Sequence, residues 1–557
     1  MRRALLVSLA LPLVACGGDD SAPVGEIGAT VTHYDYSFDL TTRAAHAKVT
    51  AAVETPGDCF TLPFRATGFD PATPLVDGKP AVSGMLGTAT LTLCGGGHEA
   101  GTEITIEADL EVALQTLSTS QVGFSLTMDA QQNPFYYLVS WVGGCDRFGP
   151  CDSRPDQFAT YTFHVTHPEP LRVACSGTIT ETSPTETECA FDHAGGPTYS
   201  TFGIAAYPKT AWVPADKGMW GSVHATVYDR TQTQIADAIV PAYQDGYVRF
   251  LERTLGPYPF GTELRILTAP TYWSGFEHPG NIVLDDGLAR TLQPPYVHNV
   301  QHILDHEIAH QWAGDQTTLA DTYDFVWKES MAEYLAYAYE AMVEPLAAKG
   351  TTAYWKRASA GAAFFPVPGE KPALFDYYGD VYGPGPMILF RQLEVLTSRD
   401  QVLAAIASVL GQQHAISVDE VVAALQAKTG LDLTAYAAAW IHGTGAPEWP
   451  TINSTFTAGA TSSMLHVTQV KGQNRRCKFH LALRGAQPTD VQLVEVDTFR
   501  NGIDQTLTVP TPAFTVTKTE IDPDQECLVY AGTLARQVPH PWLTERAMTK
   551  MAGAPGQ

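Results

Sequence analysis

The chain has 557 residues, 45% of them hydrophobic and 17% charged, with 34 Lys and Arg against 59 Asp and Glu and a formal net charge of −25. That length allows several hydrophobic cores, and three domains are expected. An acid excess of this size argues against nucleic acid as a partner and against electrostatic docking on anionic lipid.

In chain order, Met1-Arg2-Arg3 precedes an apolar run from Ala4 to Ala15. The run is too short to act as a stable membrane span, so residues 1–15 read as a secretory signal peptide. Leu13-Val14-Ala15-Cys16 resembles the bacterial lipobox, whose cysteine is diacylated and becomes the mature N-terminus. Cys16 is therefore the candidate lipidation site, and residues 16–29 form a flexible acidic tether. These features describe an exported bacterial lipoprotein, periplasmic or at the cell surface, attached to a membrane through the lipid on Cys16. The eight other cysteines are Cys59, Cys94, Cys145, Cys151, Cys175, Cys189, Cys477 and Cys527. An even count in an exported chain suggests four disulfides, and their order suggests neighbour pairs, although the sequence leaves other connectivities open. None has zinc-finger spacing.

From residue 30 to 230 the hydrophobic period is two: Tyr34, Tyr36, Phe38 and Leu40, then Ile104 and Ile106, then Tyr161, Phe163 and Val165. Gly and Pro punctuate these runs, which predicts a large antiparallel β domain. After Asp229 the pattern changes. A helix is expected over 231–255, short strands at 264–267 and 282–284, and helices near 297–313, 327–343, 385–397, 400–410, 418–428 and 432–441. From 449 to 535 the alternation returns, as in Phe479, Leu481 and Leu483, and predicts a small β-sandwich stapled by Cys477 and Cys527. Residues 536–557 read as a tail.

The densest chemistry is His306-Glu307-Ile308-Ala309-His310, followed nineteen residues later by Glu329. On a helix, His306 and His310 stand one turn apart on one face, so both imidazoles can reach a single metal ion. Glu307 lies beside them, where a carboxylate can take a proton from metal-bound water. Two histidines and one carboxylate leave a fourth position open, the catalytic rather than the structural arrangement of zinc, and one Zn²⁺ per chain is expected. His302 also has metal spacing with His306, but packing or support of a ligand suits it better. Glu333, one turn after Glu329, could orient a zinc ligand; a solvated helix face is the simpler expectation.

Across most of its length the chain resembles the aminopeptidase N family of zinc peptidases, peptidase family M1. The likeness rests on four segments: the extended zinc segment from His306 to Gly314 with Lys328-Glu329-Ser330; Ser274-Gly275-Phe276-Glu277-His278-Pro279-Gly280, similar to the family's Gly-x-Met-Glu-Asn motif; Val381-Tyr382-Gly383-Pro384-Gly385, similar to the segment of the catalytic tyrosine; and Gly149 to Pro155, similar to its Pro-Cys loop. The resemblance implies a multidomain α+β fold with a thermolysin-like α/β catalytic domain over 231–448. It implies His306, His310 and Glu329 as zinc ligands and Glu307 as general base. Tyr382 would be the oxyanion donor, with Tyr377 and Tyr378 as nearby alternatives. Gly275, Phe276 and Glu277 would form the substrate-binding segment, with Glu277 taking the free α-ammonium. The sequence departs from the family where a glutamine usually precedes the Pro-Cys loop, since Val139-Ser140-Trp141-Val142 has none. The family's larger members also add a helical domain after the small β domain. Both departures point to a more open site.

The expected function is a zinc-dependent aminopeptidase acting on peptides with a free N-terminus. The alternatives are a zinc endopeptidase with an open cleft and a non-catalytic surface protein that keeps the fold for binding.

Overall fold

The computed structural model describes residues 25–65, 68–70, 73–115, 123–140, 144–197, 203–271, 274–288, 299–374, 376–377 and 388–532. Cys16, Tyr378, Tyr382 and the 536–557 tail lie outside them. No described helix is long and apolar enough to cross a membrane.

The N-terminal part is built of β-strands, apart from a 3-10 turn at Cys145–Arg147. Its largest sheet has nine strands, and a second of five includes Pro134–Val139 and Gly203–Pro208. The alternation seen in the sequence decides which side is inward: Tyr34, Tyr36 and Phe38 are buried and their partners Tyr161 and Phe163 face the same core. Tyr34 and Tyr161 stack with ring centroids 5.3 Å apart. The expectation of a purely antiparallel domain needs one correction. Gly28–Asp39 runs antiparallel to Ala44–Thr55 but parallel to Phe158–Thr166, as do Leu114–Gln115 and Gly123–Met128 to each other. Gly28–Asp39 and Phe158–Thr166 lie more than a hundred residues apart and carry no hairpin signal, so alternation fixes their faces and not their direction.

All four neighbour disulfides form: Cys59–Cys94, Cys145–Cys151, Cys175–Cys189 and Cys477–Cys527. Cys59 and Cys94 sit directly opposite in paired strands. The Pro-Cys loop is pinned from both sides. Tyr36 donates to the Pro150 carbonyl at 2.6 Å, and Thr318 of the helical part donates to Pro155 at 3.0 Å.

The next sheet combines β1 (Val213–Trp220), β2 (Val223–Asp229), β3 (Glu263–Ala269), β4 (Gly275–Phe276) and β5 (Asn281–Asp285), in the order β1-β2-β3-β5-β4. The hairpin β1–β2 thus joins this sheet through the parallel pair β2–β3, and the sheet begins before residue 231. Helix α1 (Val300–Ala309) packs on β4 and β5, and α2 (Phe325–Val343) packs against α1. The single helix expected over 231–255 is divided at Pro241 into Ile235–Ala238 and Pro241–Leu255, because proline has no amide hydrogen to continue the ladder and suits a first turn. A helix at Pro345–Ser359 has no counterpart in the sequence reading. The C-terminal part consists of a four-stranded and a three-stranded sheet. Their buried residues, including Leu465, Val467, Phe479 and Leu481, belong to a core continuous with that of the helical part.

Candidate active site

Helix α1 opens with Asn299, whose side chain accepts from the Gln301 amide at 2.9 Å. Every residue of α1 is buried, as is α2 from Phe325 to Glu340. A helix buried on all faces keeps its polar side chains only where other groups satisfy them. Here they satisfy one another. His306 lies in the last turn of α1 and His310 just beyond its end. Glu329 and Glu333, one turn apart on α2, face them.

Three ligand atoms converge. His306 Nε2 lies 3.0 Å from His310 Nε2 and 3.1 Å from Glu329 Oε2, and His310 Nε2 lies 3.5 Å from the same oxygen. Ligands held about 2.0–2.1 Å from a tetrahedral zinc stand about 3.3 Å from each other, so these spacings fit the ion. The other ring nitrogens are engaged. His306 Nδ1 is 2.8 Å from Glu333 Oε2, and His310 Nδ1 is 3.0 Å from the Ala313 carbonyl. Donation through Nδ1 leaves each Nε2 lone pair pointing at the common centre.

Charge supports the same fit. Glu277, Glu307, Glu329, Glu333 and Glu340 are all buried around Lys328 and three histidines, an excess of negative charge that a divalent cation would offset. Burial works to raise Glu329, but Lys328 and His310 outweigh it and hold its carboxyl well below the usual range. Glu307 goes the other way: burial pushes it well up, His306 opposes this, and Glu277 and Glu329 add to the rise. Glu277, Glu307 and His310 also bring their side-chain N and O atoms within 4.8 Å of one another, so the expected base and the expected amine anchor share one chamber.

Strand β4 forms the wall of that chamber. A Cβ on Gly275 would stand 2.2 Å from Glu307 Oε1, so only glycine lets the strand pass this close. Phe276 is buried and packs on His278 at 4.9 Å between ring centroids. Glu277 is 5% exposed, and its Oε1 lies 2.6 Å from Lys328 Nζ. Burial tends to raise Glu277, while Lys328 and His310 more than compensate and keep it low. The same lysine lies 2.9 Å from Glu329 Oε1. In the sequence, Lys328 is marked only by its place in the motif beside Glu329.

Glu333 corrects the sequence expectation of a solvated face. It is buried, and besides His306 it accepts from His302 Nε2 at 2.9 Å and Trp355 Nε1 at 2.8 Å. His302 continues to Glu340 at 2.8 Å and reaches His306 only through Glu333. The hydroxyl of Tyr377, the nearby alternative, is buried and engaged with the Pro366 carbonyl at 2.6 Å. A residue absent from the sequence reading is Tyr137, from the N-terminal part. Its hydroxyl is buried with no hydrogen-bond partner among the described residues. Burial raises its pKa well above the usual value, and the nearby charges of Glu277 and Glu307 raise it further. The only signal available was its position shortly before the segment that lacks the family glutamine.

The Peptidase family M1 domain model matches residues 249–363, which include β3 to β5, α1 and α2. No curated protein sequence matches the chain. In structure, the chain is similar to Legionella pneumophila aminopeptidase A, solved in complex with aspartic acid, with a TM-score of 0.72 and 14% identity. That match covers 92% of this chain and 60% of the other, so this chain spans well under two thirds of its structural relative. Residues 249–363 thus resemble a family M1 peptidase domain, and the chain as a whole shares the fold of that aminopeptidase.

Proposed function

We propose that the chain is a zinc-dependent aminopeptidase that removes N-terminal residues from peptides. The observation that carries the reading is the convergence of His306 Nε2, His310 Nε2 and Glu329 Oε2 within 3.0–3.5 Å, with Glu307 alongside. These three residues would hold the ion, which when bound supplies Lewis acidity to the scissile carbonyl and makes water more acidic. Glu307 takes the proton of the attacking water on its carboxylate and passes it to the leaving amine. Gly275 keeps that carboxylate against the strand wall. Glu277 receives the substrate ammonium and sets the first peptide bond over the metal site. Tyr382 is proposed as the oxyanion donor on its motif alone.

The test is purified protein assayed for zinc and for cleavage of free aminoacyl arylamides. One zinc per chain is expected, lost on replacing His306 or His310, and Glu307→Gln should retain zinc while turnover falls by about 10²–10⁴. Zinc-loaded wild-type protein that cleaves no free-amine substrate would refute the activity. The endopeptidase reading draws on one observation, the occupation of Glu277 by Lys328. The proposal includes export and lipid attachment at Cys16, supported by the apolar run before it and the disulfides after it.

A further inference from the structure

We propose that Lys328 sets the enzyme's discrimination between free and blocked N-termini, by occupying the carboxylate of Glu277 so that a substrate ammonium enters only in exchange for it. This rests on the aminopeptidase reading for the role of Glu277. The lysine's position is built rather than incidental. Its side chain is 1% exposed, and Nζ sits between Glu277 Oε1 at 2.6 Å and Glu329 Oε1 at 2.9 Å. The stem passes over Gly314, where a Cβ would lie 2.7 Å from Lys328 Cε. Gly314 has φ +145°, so a larger residue there would meet both strain and collision. The ammonium also stands over the Phe325 ring at 5.2 Å.

A lysine ammonium and a peptide α-ammonium are the same kind of charged donor. When one replaces the other on Glu277, a buried charge pair is exchanged for a similar one, and the gain from the substrate amine is the small difference between them. An acetylated substrate has no ammonium to exchange, leaves Lys328 in place and meets a neutralised pocket. Lys328 thus lowers selectivity for free amines while Glu277 supplies it. The merely structural alternative gives Lys328 only the task of neutralising Glu329, in which case its removal changes zinc affinity and leaves amine selectivity alone.

The experiment uses the zinc-loaded full chain, with Lys328→Gln and Lys328→Met, on leucyl arylamide and its N-acetyl analogue. Wild type should favour the free amine by about tenfold or less in kcat/KM, and Lys328→Gln should raise that ratio by roughly ten- to 100-fold, through a lower KM for the free substrate. Titration calorimetry with isoamylamine, a primary amine that cannot be hydrolysed, reads the same exchange without turnover. Its binding should tighten in Lys328→Gln and be lost again in Lys328→Gln with Glu277→Gln. Tighter amine binding in a protein that cleaves nothing would sustain the Lys328 assignment while refuting the peptidase reading. A ratio and an amine affinity that both stay within about threefold of wild type, with zinc retained, would overturn it. Where neither variant folds, the wild-type ratio decides: a preference for the free amine above about 100-fold, worth near 2.7 kcal/mol, leaves no room for an internal competitor.

Discussion

Glu333→Gln isolates the support beneath the metal site. The carboxylate receives three N–H donors on its two oxygens: His306 Nδ1 on Oε2, and His302 Nε2 and Trp355 Nε1 on Oε1. Glutamine keeps the shape and has one acceptor. If its oxygen faces His306, its NH₂ confronts the Trp355 indole, which is a donor in every state. If the oxygen faces Trp355, the NH₂ confronts His306 Nδ1 and favours the tautomer that puts the proton on Nε2, where the lone pair is needed. Either arrangement weakens the ligand set, and the charge that makes His306 more basic is gone. Partners of this kind contribute about 10–100-fold to metal affinity, near 1.4–2.7 kcal/mol. Zinc dissociation constants measured by competition with a chromophoric chelator should rise by that factor in Glu333→Gln, with the circular dichroism of the folded protein retained. Affinity within about threefold of wild type would show that the Glu333 contact does not orient His306.

Gly275→Ala should force the Glu307 carboxylate aside and lower kcat by at least about 100-fold with one zinc still bound, the scale of a lost general base; undiminished turnover would show that the strand yields. Tyr137→Phe removes a buried hydroxyl that has no hydrogen-bond partner among the described residues, so thermal stability should hold or rise, while kcat/KM falls about two- to tenfold if that hydroxyl meets substrate in the chamber; lower stability with full activity would contradict both parts. Cys477→Ser with Cys527→Ser opens a link between residues 50 apart, which by loop entropy contributes about 4 kcal/mol, and an unchanged denaturation midpoint would contradict that estimate. Cys16→Ser should convert a detergent-partitioning protein into a soluble one, and partitioning that survives the change would refute the lipid anchor.

The pairing of His306 with His310 was legible because helix geometry turns a four-residue spacing into a shared face without help from the rest of the fold, whereas Glu329 joins them from a second helix. The same holds for the disulfides, since Cys59 and Cys94 lie on neighbouring strands that pair directly. Glu333 was not legible. A glutamate one turn after a ligand has the same sequence whether its face meets water or protein, and Trp355 decides the matter from Pro345–Ser359. That helix in turn escaped notice because its buried positions are mostly small: Ala347, Ala348, Thr351, Thr352 and Ser359 beside Trp355. Tyr137 sits in an ordinary alternating strand, and nothing local distinguishes its buried hydroxyl from a packing aromatic. The change of period at Asp229 was real, but it marks the end of a strand within one sheet rather than the edge of that sheet.

Two carboxylates of the same type and on neighbouring helices meet opposite electrostatics, and that difference divides their roles. Glu329 has the imidazoles on one oxygen and the Lys328 ammonium on the other, so it stays ionised and is suited to hold a cation. Glu307 is set against Gly275, where burial favours its uncharged form, His306 and Lys328 oppose this, and Glu277 and Glu329 add to the rise. A group pushed up in this way has affinity for a proton, which is what a base in this reaction requires, and positive charge brought to the site pulls it back toward the working range. His306 and Lys328 are the protein's own share of that charge. Lys328 stands in direct contact with Glu277 and Glu329, the proposed anchor and ligand, and acts on Glu307, the proposed base, only through space.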